Sequence, residues 1–151
     1  MRGRGPEIAA TLVDTGPLVA FLNRGDAHHD WARAQMERLS APLLTCEAVL
    51  AEAAHILRRV RRGQLPLMDR GPTALMELLS RGVVTTPFRL DGEVVRVREL
   101  LDRYADVPMS LADACLVRMS EVTPGARVLT LDAHFRVYRR LGRQVIPVVM
   151  P

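Results

Sequence analysis

Four acids in this chain stand where chemistry could use them. Asp14 closes the β-prone run ATLVD and Asp132 closes RVLTLD, so each is a carboxylate delivered by the end of a short apolar strand. Glu52 lies about two turns into a helical stretch among Leu50, Ala51, Ala53 and Ala54, and Asp113 lies in the apolar run SLADACLV. Carboxylates in such surroundings are costly to desolvate unless something satisfies them. Four of them meeting at one spot would repel unless a divalent cation neutralised them. Oxygen-only donors suit Mg²⁺ or Mn²⁺ rather than zinc. Each acid also has a purely structural reading. Asp113 follows Ser110 by three residues, the spacing of a capping box, and Asp132 could cap the helix after it. Glu52 could be a surface residue beside Arg58 or Arg59. Asp14 is the hardest to explain structurally, because it ends a strand expected to be central, and the coincidence of all four favours a site.

The elements that must position these acids follow from the alternation of short strands and amphipathic stretches. Residues 9–14 read as a strand, and Pro17 suits the first turn of a helix reaching Leu22. Asp26 is expected to cap a helix through Leu39, residues 43–45 form a brief strand, and Thr45 caps a helix reaching about Val60. Residues 65–79 read as a helix or helix pair interrupted at Gly71 and Pro72, followed by a strand at 83–86 and a helix at 91–104. A helix from Leu111 to about Val122, a strand at 127–131, a helix at 133–141 and a last strand near 145–148 complete the order. Such alternation implies a mostly parallel sheet with right-handed crossovers and helices on both faces. In sheets of this kind ligands bind beyond the carboxyl ends of the strands, where strand order reverses.

Length and composition limit the alternatives. With 151 residues and 48% apolar content, one compact domain has room to bury very roughly 70% of its unfolded surface, and a second domain has none. Residues 1–8 are expected to form a flexible arm ahead of a single domain at 9–151. Only 4% of residues are aromatic, which leaves no repeated stacking platform for nucleic-acid bases. No apolar run approaches about 18 residues, and the N-terminus lacks the apolar region of a signal peptide, so a cytoplasmic protein is expected. Cys46 and Cys115 share no ligand spacing and read as buried free thiols. The net charge is +4, and every basic residue is arginine. A GC-rich coding bias accounts for the missing lysines, while the positive charge weakly favours an anionic partner. Absence of lysine argues against phospho-acceptor sites resembling receiver or haloacid-dehalogenase domains.

Sharper motifs fail. Glu52 and His55 spell Glu-x-x-His without the second copy a di-iron bundle needs, so His55 reads as a packed helix residue. His28, His29 and His134 lack metal partners at useful spacing and read as solvated. Neither GxGxxG nor a P-loop occurs, and no nucleophile elbow marks a serine hydrolase. Asp26 and Asp106 read as structural, a cap and a turn acid.

Taken together, VDTGPLVAFLNRGDAHHDWA, LLTCEAVLAEAAHIL, YADVPMSLADACLV and VLTLDAHF, in this order and spacing, resemble a PIN domain, the metal-dependent nuclease fold that includes VapC-like toxins. The resemblance covers nearly the whole chain. It implies a three-layer α/β/α sandwich on a mostly parallel sheet, an acidic Mg²⁺ or Mn²⁺ site, endoribonuclease activity by metal-assisted phosphodiester hydrolysis, and frequent homodimerisation. The family's acids fall on Asp14, Glu52, Asp113 and Asp132, and its small hydroxyl positions on Thr15 and Thr130. An RNA substrate and a cognate antitoxin are the implied partners. Arg58, Arg59, Arg61 and Arg62, in the run RRVRR, are candidates for flanking phosphates, although a helix end complementing its dipole explains them at least as well. The alanines that often follow the family's third acid are replaced here by CLVRMSE. The competing reading is a non-catalytic PIN-like module that binds RNA or serves as a scaffold.

Overall fold

The computed structural model describes residues 8–60 and 71–151. Its first strand, β1 (Thr11–Val13), is buried at every position, as a strand covered on both faces must be. Asp14 ends it and opens α1 (Thr15–Leu22), which leads to α2 (His29–Arg38), β2 (Leu43–Leu44) and α3 (Glu47–Leu57). After α4 (Gly71–Ser80) and β3 (Val84–Thr85), a 3₁₀ turn at Leu90–Gly92 precedes α5 (Val94–Arg103) and α6 (Leu111–Val122). The last part holds β4 (Arg127–Leu129), a 3₁₀ turn at Ala133–Arg136, the hairpin strands β5 (Arg139–Arg140) and β6 (Gln144–Val145), and β7 (Val148–Val149).

Five strands form one parallel sheet in the order β3-β2-β1-β4-β7, with the helices packed on its two faces as a three-layer α/β/α sandwich. Chain order proceeds outward from β1 through β2 to β3 and then resumes on the other side at β4. The strand order therefore reverses between β1 and β4, and the carboxyl ends of those two parallel strands flank the crevice in which α/β folds bind ligands. The core is aliphatic around Leu12, Leu18, Leu57, Leu75, Leu100, Leu116 and Leu129. Both tyrosines and Phe135 gather in one cluster, with Tyr138 edge-on to Tyr104 and to Phe135 at 5.1 and 5.2 Å between ring centres. No described helix is long and apolar enough to cross a membrane.

Several boundaries differ from expectation for identifiable reasons. The helix expected at 133–141 is a single 3₁₀ turn followed by the antiparallel pair β5 and β6. Leu141 (φ 50°) and Gly142 (φ 81°) reverse the chain there, and the Glu121 carboxylate accepts from the Leu141 amide at 2.7 Å, holding that unusual backbone in place. The strand expected near 145–148 is divided at Pro147 between hairpin and sheet, and the Pro147 carbonyl still accepts from Val128. Gly71 and Pro72 are the first described residues of α4, so the interruption expected there falls at the edge of the described residues. Residues 65–70 lie outside the described residues, as do 1–7, most of the expected arm. The helix expected at 91–104 starts as a 3₁₀ turn and becomes α-helical at Val94. Asp26 does not cap α2 directly; its Oδ1 accepts from the His28 amide in a turn ahead of the helix. Cys46, not Thr45, is the N-cap of α3, because the Thr45 hydroxyl donates to the Val13 carbonyl and ties β2 to β1.

Candidate active site

Asp14 sits at the β1–α1 junction and caps α1, its Oδ1 accepting from the Thr15 amide at 2.7 Å. Its other oxygen accepts from the Thr130 hydroxyl at 2.7 Å. Thr130, fully buried at the end of β4, also accepts from the Asp132 amide at 2.9 Å, so one hydroxyl fixes two acids from neighbouring strands. The Asp14 amide donates to the Leu129 carbonyl at 3.0 Å, extending the β1–β4 ladder up to the acid itself. Close approach reinforces this. A Cβ on Gly16 would lie 3.2 Å from the Leu131 side chain, so the turn after Asp14 packs directly on the segment that carries Asp132.

Asp113 reaches the same place from the N-terminus of α6. The capping box expected from Ser110 is present, with Ser110 Oγ accepting from the Asp113 amide at 3.0 Å and Asp113 Oδ2 accepting from the Ser110 amide at 3.2 Å. The structural reading of Asp113 thus holds, and it is compatible with a site, because the cap is what aims the carboxylate. Tyr138 supplies a further donor, its hydroxyl reaching Asp113 Oδ2 at 3.0 Å. Asp132 caps the following 3₁₀ turn, with Oδ1 accepting from the His134 amide at 2.9 Å and lying 2.8 Å from His134 Nδ1. Glu52 joins more loosely, from the exposed side of α3, where its Oε2 accepts from the Thr15 hydroxyl at 3.0 Å.

The electrostatics register this crowding. Burial pushes the Asp14 carboxyl up to about 6, and the charges of Asp113 and Asp132 add to the rise against the hydrogen bonds from Thr130 and Thr15. Asp113 is raised in the same way, by burial first and then by Asp132, opposed by the Ser110 amide and the Tyr138 hydroxyl. Burial and the charge of Asp113 push Tyr138 upward too, so it remains a neutral donor. Three of the four acids are therefore within one another's electrostatic reach, while Glu52 is linked through Thr15.

Among the described residues, no three acid, histidine or cysteine side chains are drawn tightly enough together to enclose an ion as they stand. The expected convergence of four carboxylates is thus an adjoining of three, with a fourth alongside. The donor chemistry nevertheless fits a hard divalent cation. Asp113, Asp132 and Glu52 each take their hydrogen bonds on one oxygen, leaving the other without a donor among the described residues. A raised carboxyl such as Asp14 marks negative charge that a cation would relieve.

Other expectations divide. Arg58 and Arg59 are exposed beyond the last turn of α3, whereas Arg61 and Arg62 lie outside the described residues. His55 is exposed rather than packed. His134 is exposed as expected, yet bonded to Asp132. Cys46 and Cys115 are buried free thiols in the core. Tyr138 was not foreseen. The available signal was its rarity, since a tyrosine in an aliphatic core needs a partner for its hydroxyl.

A family model for the PIN domain matches residues 11–141, a span that contains all four acids, both threonines and Tyr138. The chain belongs to the PIN domain family. Among solved structures, the PIN chain described here is similar to VapC20 of Mycobacterium tuberculosis, a sarcin–ricin loop cleaving toxin, at 25% identity and a TM-score of 0.59. That match covers 73% of this chain and 82% of the other. No curated protein sequence is significantly similar to it. Fold, family and neighbour together make this a nuclease-family chain of the VapC-like kind.

Proposed function

We propose that this PIN domain is a Mg²⁺- or Mn²⁺-dependent endoribonuclease whose site is formed by Asp14, Asp113, Asp132 and Glu52, and that it is the toxin of a toxin–antitoxin pair. The observation that carries the reading is Thr130, whose single hydroxyl holds Asp14 and the Asp132 segment together at the point where the strand order reverses. Asp14, Asp113 and Asp132 would hold the cation, with Glu52 as a fourth ligand or an orienting group. When bound, a divalent cation supplies Lewis acidity to the phosphoryl group and offsets the carboxylate charge. The chain's own residues do the positioning. Thr15 holds Asp14 and Glu52 in register, Tyr138 and Ser110 keep Asp113 from turning away, and the β4 terminus fixes Asp132 at the rim. A half-exposed Asp132 beside buried Asp14 and Asp113 leaves the site open on one side to a polymer.

The partners in this reading are RNA, a cognate antitoxin and a second copy of the chain, in the cytoplasm. The likeness to an RNA-cleaving toxin supports RNA and an antitoxin; dimerisation and location rest on the family. The deciding experiment is cleavage of structured and single-stranded RNAs with Mn²⁺, with EDTA, and by Asp14→Asn. Metal-dependent cutting that disappears in the variant supports the proposal. Cutting that persists in the variant removes the site, and RNA binding indifferent to metal without any cleavage replaces the enzyme by a binding module.

A further inference from the structure

The chain carries a second concentration of charge beside the acids. Arg136, Arg139, Arg140 and Arg143 occupy the segment from the 3₁₀ turn through the β5–β6 hairpin, and Arg103 reaches it from the end of α5. Among the described residues none of these five has a carboxylate within ion-pair distance. Arg33, Arg81, Arg89, Arg96, Arg98 and Arg118, by contrast, are all paired. Three of the five guanidiniums bond instead to carbonyls, which fix their position and leave their charge in place. Arg103 donates to Gly142 at 2.7 Å, Arg140 to Ala126 at 3.1 Å, and Arg139 to Arg136, Val137 and Tyr138. The backbone is stapled as well, with the Tyr104 hydroxyl accepting from the Arg139 amide and Glu121 from that of Leu141. Five like charges on and around one short hairpin repel one another, and a rigid scaffold that holds them near one another is preorganised for a polyanion.

One end of the patch meets the acid site, and the other runs along α6 away from it, since Leu141 is held by Glu121 near the far end of that helix and Arg140 by Ala126, ahead of β4. Tyr138, whose hydroxyl touches Asp113, is the residue immediately before β5, and Arg136 lies in the turn that Asp132 caps. Resting on the nuclease reading above, we propose that the β5–β6 hairpin with Arg103 is the surface that holds the phosphodiester backbone of the RNA strand as it runs away from the cleavage site. Contact is with phosphates and is tolerant of sequence. The neighbouring Tyr104 and Tyr138 rings are buried and offer no face for a base to stack on.

The test is binding of a fluorescent single-stranded RNA by the wild-type chain in EDTA, where cleavage is silent, across a range of salt concentrations. Arg136→Gln, Arg143→Gln and the double variant remove exposed charges whose side chains make no hydrogen bond among the described residues. Arg24→Gln, beyond the far end of α1, removes the same charge elsewhere. Each hairpin substitution is expected to lower the slope of log K against log salt by about 0.7, which corresponds to about fivefold weaker binding at 0.1 M salt. The double variant is expected to lose about 25-fold, and Arg24→Gln nothing. Unchanged affinity in the double variant, an equal loss in Arg24→Gln, or no RNA binding by the wild type at low salt overturns the proposal. Cleavage with Mn²⁺ is scored separately. RNA affinity that depends on the hairpin without any cleavage removes the enzyme and keeps the surface, whereas cleavage indifferent to the hairpin does the reverse.

Discussion

Replacing Asp14 by Asn isolates the electrostatic cost of the site from its chemistry. In the folded chain the Asp14 carboxyl titrates near 6, against 3.8 for the same group in solvent, because it is almost wholly buried and faces Asp113 and Asp132. A raised carboxyl binds its proton more tightly in the folded state than in the unfolded one. Its contribution therefore favours folding below pH about 4 and is lost as pH rises through about 6. Two units correspond to about 3 kcal/mol of metal-free stability lost between those limits. Asp113 adds to the loss with the same sign. Asn at position 14 keeps an oxygen for the Thr15 amide and presents an amide nitrogen to Thr130, at a cost of about 1 kcal/mol for the altered bond. Urea melts in EDTA should then show wild-type stability falling from pH 4 to 7. The variant should have a flatter profile and a net gain of about 2 kcal/mol at pH 7, worth roughly 4 to 8 °C in Tm. Cleavage should be abolished in the same variant. A variant less stable than wild type in EDTA at pH 7 would refute the claim that burial and repulsion dominate at Asp14.

The remaining predictions probe the site from other sides. Mn²⁺ or Mg²⁺ should raise the wild-type Tm in a dose-dependent way, by about 2.7 kcal/mol of stability at a hundred times the Kd, and should leave Asp14→Asn nearly unmoved; a flat titration would count against a cation site. Tyr138→Phe removes a donor from Asp113 and should cost about 1 to 2 kcal/mol in urea while lowering kcat for RNA more than it raises KM. Full activity in that variant would make the tyrosine merely a core residue. Gly71→Ala would place its Cβ 2.8 Å from the Leu57 carbonyl, closer than real side chains come, and should destabilise the fold by about 1 to 3 kcal/mol without touching the acids. Wild-type stability there would mean that α4 shifts freely at Gly71.

The sequence was most informative where one physical rule decided an element. The strands leading to Asp14 and Asp132, the parallel sheet and the Ser110–Asp113 capping box follow from local pattern, and each is present, although β4 stops at Leu129, short of the expected Leu131. It was least informative between residues 133 and 149. Periodicity there fitted a helix, but a tertiary demand wins: Tyr138 must bring its hydroxyl to Asp113, and Glu121, distant in sequence, anchors the hairpin turn. Thr45 shows the same logic on a smaller scale. Its hydroxyl suits a cap, and a neighbouring strand's carbonyl claims it first. Local propensity proposes such roles, and partners far along the chain decide between them.

The threonines make the same point about the acids. Clustered carboxylates oppose folding, so a chain that gathers them must hold them by something other than their mutual interaction. Thr130 does this between strands and Thr15 between α1 and α3, each with one hydroxyl serving an acid that its own element does not carry. Both sit at the same edge of the sheet, one residue beyond Asp14 and one beyond the last residue of β4. With these bonds in place, the raised Asp14 carboxyl is a charge held poised in a rigid frame, and neutralising it with a cation should cost the fold little rearrangement. The frame, more than the number of acids, is what distinguishes this arrangement from three separate helix and turn caps beside a surface glutamate.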